Sequence, residues 1–383
     1  SYPFYLPPGT VVSNKQGLAA FGAHINATSL KTCGRPLFLV TSADLADSTS
    51  ISGFGADSAA GPGLGWYDQH RNPKGVVLPQ EITEAVNAGL MCALASVNFA
   101  DDPFVRFAGF FGAASTYGAF SYLKYGMARL FSQVAQDCPL KMGKFLWIAG
   151  HSGPETAEDA RTHFGVHAPG VTRLFPRGHV INLHPWEYNE VPVMLAAALR
   201  EPEPIVVCHL TRPAITLPDR AALGMASHFA AARGAYLIRD FDPALPEAGT
   251  VLVQGTITTH HLVRLLPRMR ECQINVRVVA AVSWELFCRQ PDDYRNAILP
   301  WARWLDSMVV TNGALDNMSD WLSSPVARQY SMAADWDHRW RTGGSVEEVY
   351  EEAHLDPEHL LEGIARFARE RDERIHRLGC VTP

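Results

Sequence analysis

The chain has 383 residues, of which 47% are hydrophobic and 19% charged, and its formal net charge is −6. This composition is typical of globular proteins with well-packed cores, and the length favours two domains. The negative charge and the lack of clustered Lys and Arg argue against nucleic acid as the main partner.

Seven cysteines are scattered along the chain without Cys-x-x-Cys spacing. That pattern fits reduced thiols better than a disulfide framework or a zinc site. The N-terminal residues lack the basic segment and apolar core of a signal peptide, and no run of roughly eighteen apolar residues predicts a membrane span. We therefore expect a soluble cytoplasmic protein.

The first half of the chain alternates predicted strands and helices. We expect a helix over 11–30, and a segment over 74–94 in which a strand runs into a helix. Alternation of this kind implies a mostly parallel sheet with helices on both faces. Further strands are predicted at 36–41, 144–149, 180–183 and 204–210.

The rest of the chain is expected to fold separately, beyond a boundary within 218–249 where Pro, Ala, Gly and Asp accumulate. A helix is predicted at 258–272 despite an internal proline. Asp356, followed by proline, predicts the start of a terminal helix. With strands expected at 250–255 and 275–282, this part is predicted to be a smaller α/β domain.

The segment 151–170 is the most distinctive, because it holds three imidazoles, three carboxylates and three hydroxyls with little aliphatic material. It follows the predicted strand at 144–149, and open α/β sheets bind their ligands at such strand ends. Residues 42–50 follow another strand and carry short oxygen-bearing side chains, which suit either a ligand or a helix cap. A solvated surface loop is the alternative for 151–170.

Several motifs, in order along the chain, resemble those of the transketolase family. Residues 42–48 resemble its Ser-Ala-Asp-Leu-x-x-Ser loop, and residues 151–163 keep its spacing of His, Glu-Asp and Thr-His. Residues 184–190 resemble its Arg-Pro-x-x-x-Asn-Glu turn. Residues 277–287 resemble its segment ending in Ser-Trp-Glu-Leu-Phe, and residues 345–358 resemble its tail.

This resemblance implies an α/β fold of two domains. A thiamine-diphosphate-binding (pyrimidine) domain with a mostly parallel sheet is expected at 1–220, a linker at 221–247, and a smaller transketolase C-terminal-like domain at 248–383. No Gly-Asp-Gly motif occurs, so the diphosphate and its Mg²⁺ or Ca²⁺ are expected on a companion N-terminal subunit. The resemblance also implies an α2β2 heterotetramer with the cofactor between subunits, and no metal ligand on this chain.

A carboxyl group is expected to activate the cofactor. The aminopyrimidine of thiamine diphosphate removes the proton from the reactive ring carbon only in its imino form, which requires a carboxyl group on a pyrimidine nitrogen. Glu81 matches the family's activating glutamate by position, although its neighbours differ, and Glu84 is the second candidate. An ordinary glutamate at a helix start is the alternative.

The resemblance also assigns the residues that contact the cofactor and the substrate. His151 and His163 match histidines that contact the sugar, and imidazoles suit both hydroxyl binding and proton relay. Most aromatic residues in 104–125 are expected in the core, with one or two on a planar ligand. The remaining expected contacts are Tyr122, Tyr125 and Asp44 to the cofactor, and Ser48, Asp159 and Arg212 to the substrate.

One departure from the family concerns the acceptor. Where the family has a phosphate-binding arginine, this chain has Asn14, and an amide does not replace a bidentate anion clamp. Ser48 and Arg212 remain as possible contacts for a differently placed anion. The acceptor is therefore not expected to be an ordinary sugar phosphate held in the usual way: it could be unphosphorylated, carry another acidic group such as a sulfonate, or be a different aldehyde or keto acid. Replacing Asn14 by Arg is predicted to improve the use of phosphorylated acceptors.

The function implied is transfer of a two-carbon ketol or acyl unit to an aldehyde or keto acceptor, by an enzyme active only with its companion. One alternative is the β subunit of a 2-oxoacid dehydrogenase or acyloin-forming enzyme, but the Ser-Trp-Glu-Leu-Phe segment favours transketolase. Another is a non-catalytic scaffold half, against which the retention of Glu81, His151 and His163 argues.

Overall fold

The computed structural model describes residues 2–43 and 45–379. Within these residues the chain forms two α/β units, each built on its own sheet. The α/β fold class predicted from the sequence is therefore confirmed. The predicted cofactor contact Asp44 lies outside the described residues.

The first unit contains a six-stranded sheet in which every neighbouring pair of strands is parallel. The strands of this unit are β1 (Val11–Ser13), β2 (Phe38–Ser42), β3 (Val77–Leu78), β4 (Phe111–Thr116), β5 (Phe145–Ala149), β6 (Val180–Leu183), β7 (Ile205–His209) and β8 (Ala214–Thr216). The sheet runs in the order β3-β2-β4-β5-β7-β6, and β1 and β8 form a separate antiparallel pair.

Apolar side chains are buried on both faces of this sheet. In β5, Leu146 and Ile148 belong to one hydrophobic cluster, whereas Phe145 and Trp147 belong to another. Successive side chains of a strand point to opposite faces, so an unbroken apolar strand needs cover on both sides. The helices of this unit are α1 (Lys15–Cys33), α2 (Glu84–Ala95), α3 (Tyr125–Asp137) and α4 (Glu190–Ala198).

The second unit contains a mixed five-stranded sheet. Its strands are β9 (Ala235–Arg239), β10 (Thr250–Gln254), β11 (Arg277–Ala281), β12 (Ser307–Thr311) and β13 (Met332–Ala333), in the order β13-β12-β10-β11-β9. Only β9 runs antiparallel to its neighbour. The helices are α5 (Thr256–Glu271), α6 (Trp284–Cys288), α7 (Asp292–Ile298), α8 (Trp301–Leu305), α9 (Pro325–Tyr330), α10 (Val346–Glu352), α11 (Pro357–Arg369) and α12 (Arg371–Arg377).

Two local predictions need correction. The helix expected over 11–30 begins only at Lys15, because Val11–Ser13 form a strand that pairs with Ala214–Thr216. The segment 221–247, predicted as a linker, contains β9, which is the edge strand of the second sheet. The domain bounds themselves stay a prediction.

The terminal helix was predicted correctly. The Asp356 carboxylate accepts hydrogen bonds from the backbone N–H groups of Glu358 (3.0 Å) and His359 (3.4 Å), as an N-cap does. The apolar face of α11 is buried, because Leu360, Ile364 and Phe367 are completely inaccessible to solvent. No helix within residues 2–43 and 45–379 is long and apolar enough to cross a membrane.

Buried hydrogen bonds join the two units. The Trp186 indole N–H donates to the Tyr236 hydroxyl at 2.6 Å, and the Tyr350 hydroxyl donates to the Glu155 carboxylate at 3.0 Å. All four side chains are buried. The second unit therefore contacts the segment 151–170 through the hydrogen bond from Tyr350 to Glu155.

Candidate active site

Loops from four adjacent strands meet at the carboxyl edge of the first sheet. Ser48 follows β2, Tyr117 follows β4, His151 follows β5 and Arg212 follows β7. Because these strands are neighbours in the sheet, their carboxyl ends lie side by side, where such sheets bind ligands. We call the resulting set the His151 cluster: Lys15, Ser48, Tyr117, Phe120, His151, Glu158, Asp159, His163 and Arg212.

His151 is the central member and is fully buried. Its Nε2 lies 2.9 Å from the Ser48 carbonyl oxygen, which also accepts a hydrogen bond from Lys15 Nζ at 2.8 Å. A carbonyl can only accept, so Nε2 carries the proton and Nδ1 is an acceptor. The buried Nδ1 has no hydrogen-bond partner among the described residues, which is unusual for a buried polar atom.

The environment of His151 keeps its ring neutral. Burial is the main cause that lowers the pKa of His151 to about 4, and the positive charges of Lys15 and Arg212 lower it further. The ring is therefore an uncharged hydrogen-bond acceptor at neutral pH. Such a group can receive a hydrogen bond from a substrate hydroxyl.

Arg212 is engaged with acidic side chains in the same cluster. Its guanidinium donates to both carboxylate oxygens of Asp159, one of them at 2.6 Å, and a Glu158 oxygen lies 3.7 Å away. This hydrogen bonding holds the pKa of Asp159 below its usual range. The side chains of Arg212 and Asp159 are 25% and 34% exposed, so solvent screening weakens the pair and an anionic ligand can compete for the arginine.

Two aromatic rings contact the histidines edge-on. The Tyr117 ring lies 4.4 Å from His151 and 5.2 Å from His163, and the Phe120 ring lies 5.2 Å from His163 (centroid distances). The aromatic residues predicted as cofactor contacts were different ones. Tyr122 is 50% exposed, and the Tyr125 ring packs on Phe175 in another cluster.

Tyr117 and Phe120 were therefore missed as members of the site. A signal for Tyr117 existed, because it directly follows β4 at the edge where His151 follows β5. The periodicity of the aromatic stretch could not separate these rings from core residues. The cofactor contacts of Tyr122 and Tyr125 stay predictions.

The two candidate carboxylates lie in different environments. Glu81 is exposed, just before α2. Glu84 is buried and accepts a hydrogen bond from Thr116 Oγ1 at 3.0 Å. Glu84 also attracts the ammonium group of the buried Lys124. Burial lowers the pKa of Lys124, and the negative charge of Glu84 partly offsets this shift. Glu84 therefore has its partners inside the protein, whereas the exposed Glu81 is accessible to a ligand.

Asn14 has a structural role. Its side-chain amide donates to the Pro185 carbonyl (2.8 Å) and the Thr256 hydroxyl (3.1 Å), and its oxygen accepts from the Thr211 backbone N–H (3.0 Å). The side chain is completely buried. An arginine there would break these bonds, including the one to Thr256 that joins the two units. The effect of Asn14→Arg on acceptor use stays a prediction.

An apolar surface lies next to Glu81, on α2, α3 and the residues that precede each helix. The two helices approach closely, since a Cβ at Gly89 would meet Met127 at 3.3 Å. Contiguous exposed apolar surface of this kind marks interaction sites. We call it the α2–α3 surface, and its exposed members are Ile82, Val86, Tyr122, Leu123, Met127, Leu130 and Val134.

No group of three or more His, Cys, Asp and Glu side chains among the described residues is arranged to hold a metal ion. The cysteines within residues 2–43 and 45–379 are all free thiols.

Comparisons with known proteins agree on one family. No protein-family model matches the sequence. Transketolase 7 of Craterostigma plantagineum is 28% identical over 163 residues, which is 42% of this chain and 23% of that protein. A transketolase of Geobacillus stearothermophilus is 26% identical over 155 residues, which is 40% of this chain and 22% of that protein.

Solved structures extend this similarity to nearly the whole chain. Transketolase from Leishmania mexicana matches with a TM-score of 0.70 at 18% identity, over 98% of this chain and 48% of that one. A structure titled "Split gene transketolase, inactive beta4 tetramer" matches with a TM-score of 0.55 at 14% identity, over 93% of this chain and 99% of that one. The chain thus spans about half the length of full-length transketolases. It is similar in sequence to transketolases over 42% of its length, and it has the fold of their pyrimidine and C-terminal domains.

Proposed function

We propose that this chain is the C-terminal subunit of a thiamine-diphosphate-dependent, transketolase-like enzyme. The enzyme would transfer a two-carbon ketol or acyl unit to an aldehyde or keto acceptor. The observation that carries the proposal is His151, a buried neutral imidazole whose acceptor nitrogen has no partner among the described residues. A side chain held in this way is expected where a ligand hydroxyl completes the hydrogen bonding.

His151 and the residues around it are expected to have different roles in substrate binding. The Ser48 carbonyl fixes the His151 tautomer, so that Nδ1 can take a hydrogen bond or a proton from a donor hydroxyl. His163 lies against Tyr117 and Phe120, which restrict its ring orientation. Asp159 can accept from a second hydroxyl while it remains bound to Arg212.

Thiamine diphosphate, when bound, supplies an electron sink for breaking the donor C–C bond. Glu81 is the side chain that we expect on its aminopyrimidine. An exposed carboxylate is a weak partner in water, but its hydrogen bonds strengthen when another surface excludes the solvent. Glu81 therefore fits a cofactor bound between two chains, with Tyr122 and Tyr125 as further candidate contacts.

A companion subunit would supply that second surface. The α2–α3 surface beside Glu81 exposes a row of apolar side chains, as expected of a face that a partner covers. The split-gene neighbour matches this chain over 99% of its own length, and that protein is an inactive beta4 tetramer. We propose an α2β2 assembly in which the companion holds the diphosphate and its Mg²⁺ or Ca²⁺.

The same arrangement narrows the substrates to small polar molecules. The His151 cluster offers acceptors for hydroxyls together with one guanidinium, Arg212, which suits an acidic group on the acceptor. Ketoses, aldehydes and keto acids satisfy this chemistry. The Ser-Trp-Glu-Leu-Phe segment and the sequence similarity to transketolases favour ketol transfer over the 2-oxoacid dehydrogenase alternative.

The experiment uses this chain together with a diphosphate-binding transketolase subunit from the same source, and measures carbon transfer from an α-hydroxyketone donor to an aldehyde. The variant His151→Ala should lose about 100-fold or more in kcat, as expected for a residue that transfers a proton, while the pair still retains thiamine diphosphate. His167→Ala is the matched control, because His167 lies in the same segment but its ring contacts Phe164 and Trp340 instead.

Two results would contradict the proposal. One is turnover by this chain without a companion, and the other is full activity of His151→Ala in a pair that folds and binds cofactor. A Glu81→Ala variant that supports activity as well as the natural chain would instead support a scaffold role.

A further inference from the structure

A cavity of about 370 Å³ lies between the two units and shares no lining residue with the His151 cluster. We call it the inter-unit cavity. Its volume falls in the range of small-molecule sites, roughly 300–1,000 Å³. Segment 169–178 and the end of β6 line it from the first unit, and Gln254, Trp284 and Trp321 line it from the second.

The topology of the second sheet favours a ligand at this position. β10 is central: the chain passes from β10 to β11 on one side of it, and then from β11 to β12 on the other side. Open α/β sheets bind ligands at the carboxyl ends of the strands, at the point where the strand order reverses in this way. Gln254, the last residue of β10, lines the cavity.

Glu285 is the acidic group of the cavity that lacks a cation. Its carboxylate accepts hydrogen bonds from the backbone N–H (3.2 Å) and the side-chain amide (3.1 Å) of Asn182. No Lys or Arg within residues 2–43 and 45–379 forms an ion pair with it. Burial raises the pKa of Glu285. The carboxylate keeps lone pairs for further donors.

Two amides add acceptors to the same cavity. The Gln254 amide donates to the Ala281 carbonyl at 2.8 Å, and the Asn317 amide donates to the Val166 carbonyl at 2.7 Å. Carbonyls accept only, so the NH₂ groups must face them and the amide oxygens point elsewhere. Neither amide oxygen receives a hydrogen bond from a described residue, and both residues line the cavity.

A neutral histidine pair adjoins these acceptors. The His184 ring, which lines the cavity, stacks on His209 with centroids 4.2 Å apart and planes 5° apart. Burial lowers the pKa of His184 and brings that of His209 to about 3. This end of the cavity therefore carries no positive charge to balance Glu285.

The arginines of the cavity are already paired with other acids. Arg173 and Arg177 bind Asp320. Arg289 binds Glu201 and Glu203. Flat apolar walls complete the lining, since the Trp284 and Trp321 rings meet edge-on at 4.8 Å. A planar ligand that donates hydrogen bonds matches these walls and acceptors together.

We propose that the inter-unit cavity is a binding site for a small planar nitrogen compound of the amidine or amino-heterocycle class. Its N–H groups would donate to Glu285, Gln254 and Asn317, and its ring would lie against Trp284 and Trp321. The site is separate from the His151 cluster, so its occupancy does not depend on the proposed transfer activity.

Benzamidine is the probe, and calorimetry and tryptophan fluorescence report its binding to the full chain. Saturable binding is expected, with benzoate, a ring of the same shape with a negative group, binding at least about 10-fold more weakly. Glu285→Gln should weaken benzamidine binding by about 10-fold or more, the loss expected for a charge-assisted hydrogen bond. Glu358→Gln is the matched control, because that carboxylate pairs with Arg268 at the surface and does not line the cavity.

A measurement on the natural chain does not depend on how the variants fold. Cys288 lines the cavity and is exposed. Saturating benzamidine should slow alkylation of Cys288 by iodoacetamide but leave Cys33 and Cys272, exposed elsewhere, unchanged. Failure to protect Cys288, equal protection of all three thiols, or equal affinity for benzoate would each overturn the proposal.

Discussion

The two sheets of this protein place chemically different groups at the same structural position. At the carboxyl edge of the first sheet, Lys15 and Arg212 surround a neutral His151. At the carboxyl edge of the second, a carboxylate without a cation, Glu285, lies among amides and aromatic rings. The first edge is suited to hydroxyl-bearing and anionic ligands, and the second to ligands that donate hydrogen bonds.

This difference lies in the loops and not in the sheets. Both edges are formed by buried, apolar parallel strands whose residues differ little in character, such as β5 and β10. The residues that follow each strand decide the charge of the edge. Parallel sheets with similar cores can therefore hold unlike sites, as expected when function resides in loops placed on a common fold.

The largest expected effect concerns a buried network of ion pairs around Arg220. Arg220 binds the buried carboxylates of Glu187 (2.9 Å) and Glu190 (2.6 Å). Arg220→Ala would leave both buried carboxylates without a counter-charge, which costs about 3–5 kcal/mol. Their remaining hydrogen bonds come from Trp186, Asn189 and Tyr236. The free energy of unfolding, measured by urea denaturation, should fall by that amount.

An exposed ion pair provides the control for this variant. Arg268 pairs with Glu358 at the surface, so Arg268→Ala should change the free energy of unfolding far less than Arg220→Ala does. Equal losses in the two variants would show that burial does not strengthen the contribution of the Arg220 ion pairs to stability.

The next effect is a pH dependence of the free energy of unfolding, caused by Glu155 in the segment 151–170. Burial raises the pKa of Glu155 from 4.5 to about 7, against the hydrogen bond from Tyr350. Between these pH values the folded protein binds more protons at Glu155 than the unfolded chain does. Glu155 therefore stabilises the fold at low pH, and the free energy of unfolding falls as pH rises through this window.

Glu155→Gln should remove this dependence. Relative to the natural chain, the variant should gain stability as pH rises from 4.5 to 7, by an amount on the order of 3 kcal/mol. Urea denaturation at several pH values measures the difference. Glu158→Gln, a half-exposed neighbour, should show no such trend, and a parallel trend in both variants would rule out Glu155 as the cause.

Local patterns in the sequence predicted much of this fold. The apolar run 180–183 is β6, and the N-cap at Asp356 starts α11 as expected. The strand Val11–Ser13 was missed because its partner, Ala214–Thr216, lies far away along the chain. Periodicity reports local preference, whereas strand pairing depends on tertiary contacts.

The site was predictable in its location but not in its details. Segment 151–170 was identified from its composition, and the structure brings His151, Asp159 and Arg212 together at one sheet edge. The difference between exposed Glu81 and buried Glu84 could not be read from the sequence, because each lies near the same helix start. Burial of a polar side chain is decided by neighbours from other strands.

The smallest effect tests whether the first edge binds an anion. If Arg212 contacts an acidic group of the acceptor, Arg212→Gln should raise KM for a phosphorylated acceptor about 10-fold, or about 1.4 kcal/mol, because a charge-assisted hydrogen bond is lost. KM for an uncharged aldehyde should change much less, and kcat should stay similar for both. Steady-state kinetics of the reconstituted pair gives these values.

Arg173→Gln is the control for a general change in surface charge, because Arg173 lines the inter-unit cavity and pairs with Asp320. It should leave both KM values unchanged. If Arg212→Gln raises KM equally for charged and uncharged acceptors, Arg212 acts only by holding Asp159 in place. The first edge would then recognise hydroxyl groups alone, and its contrast with the second edge would lie in His151 rather than in its positive charge.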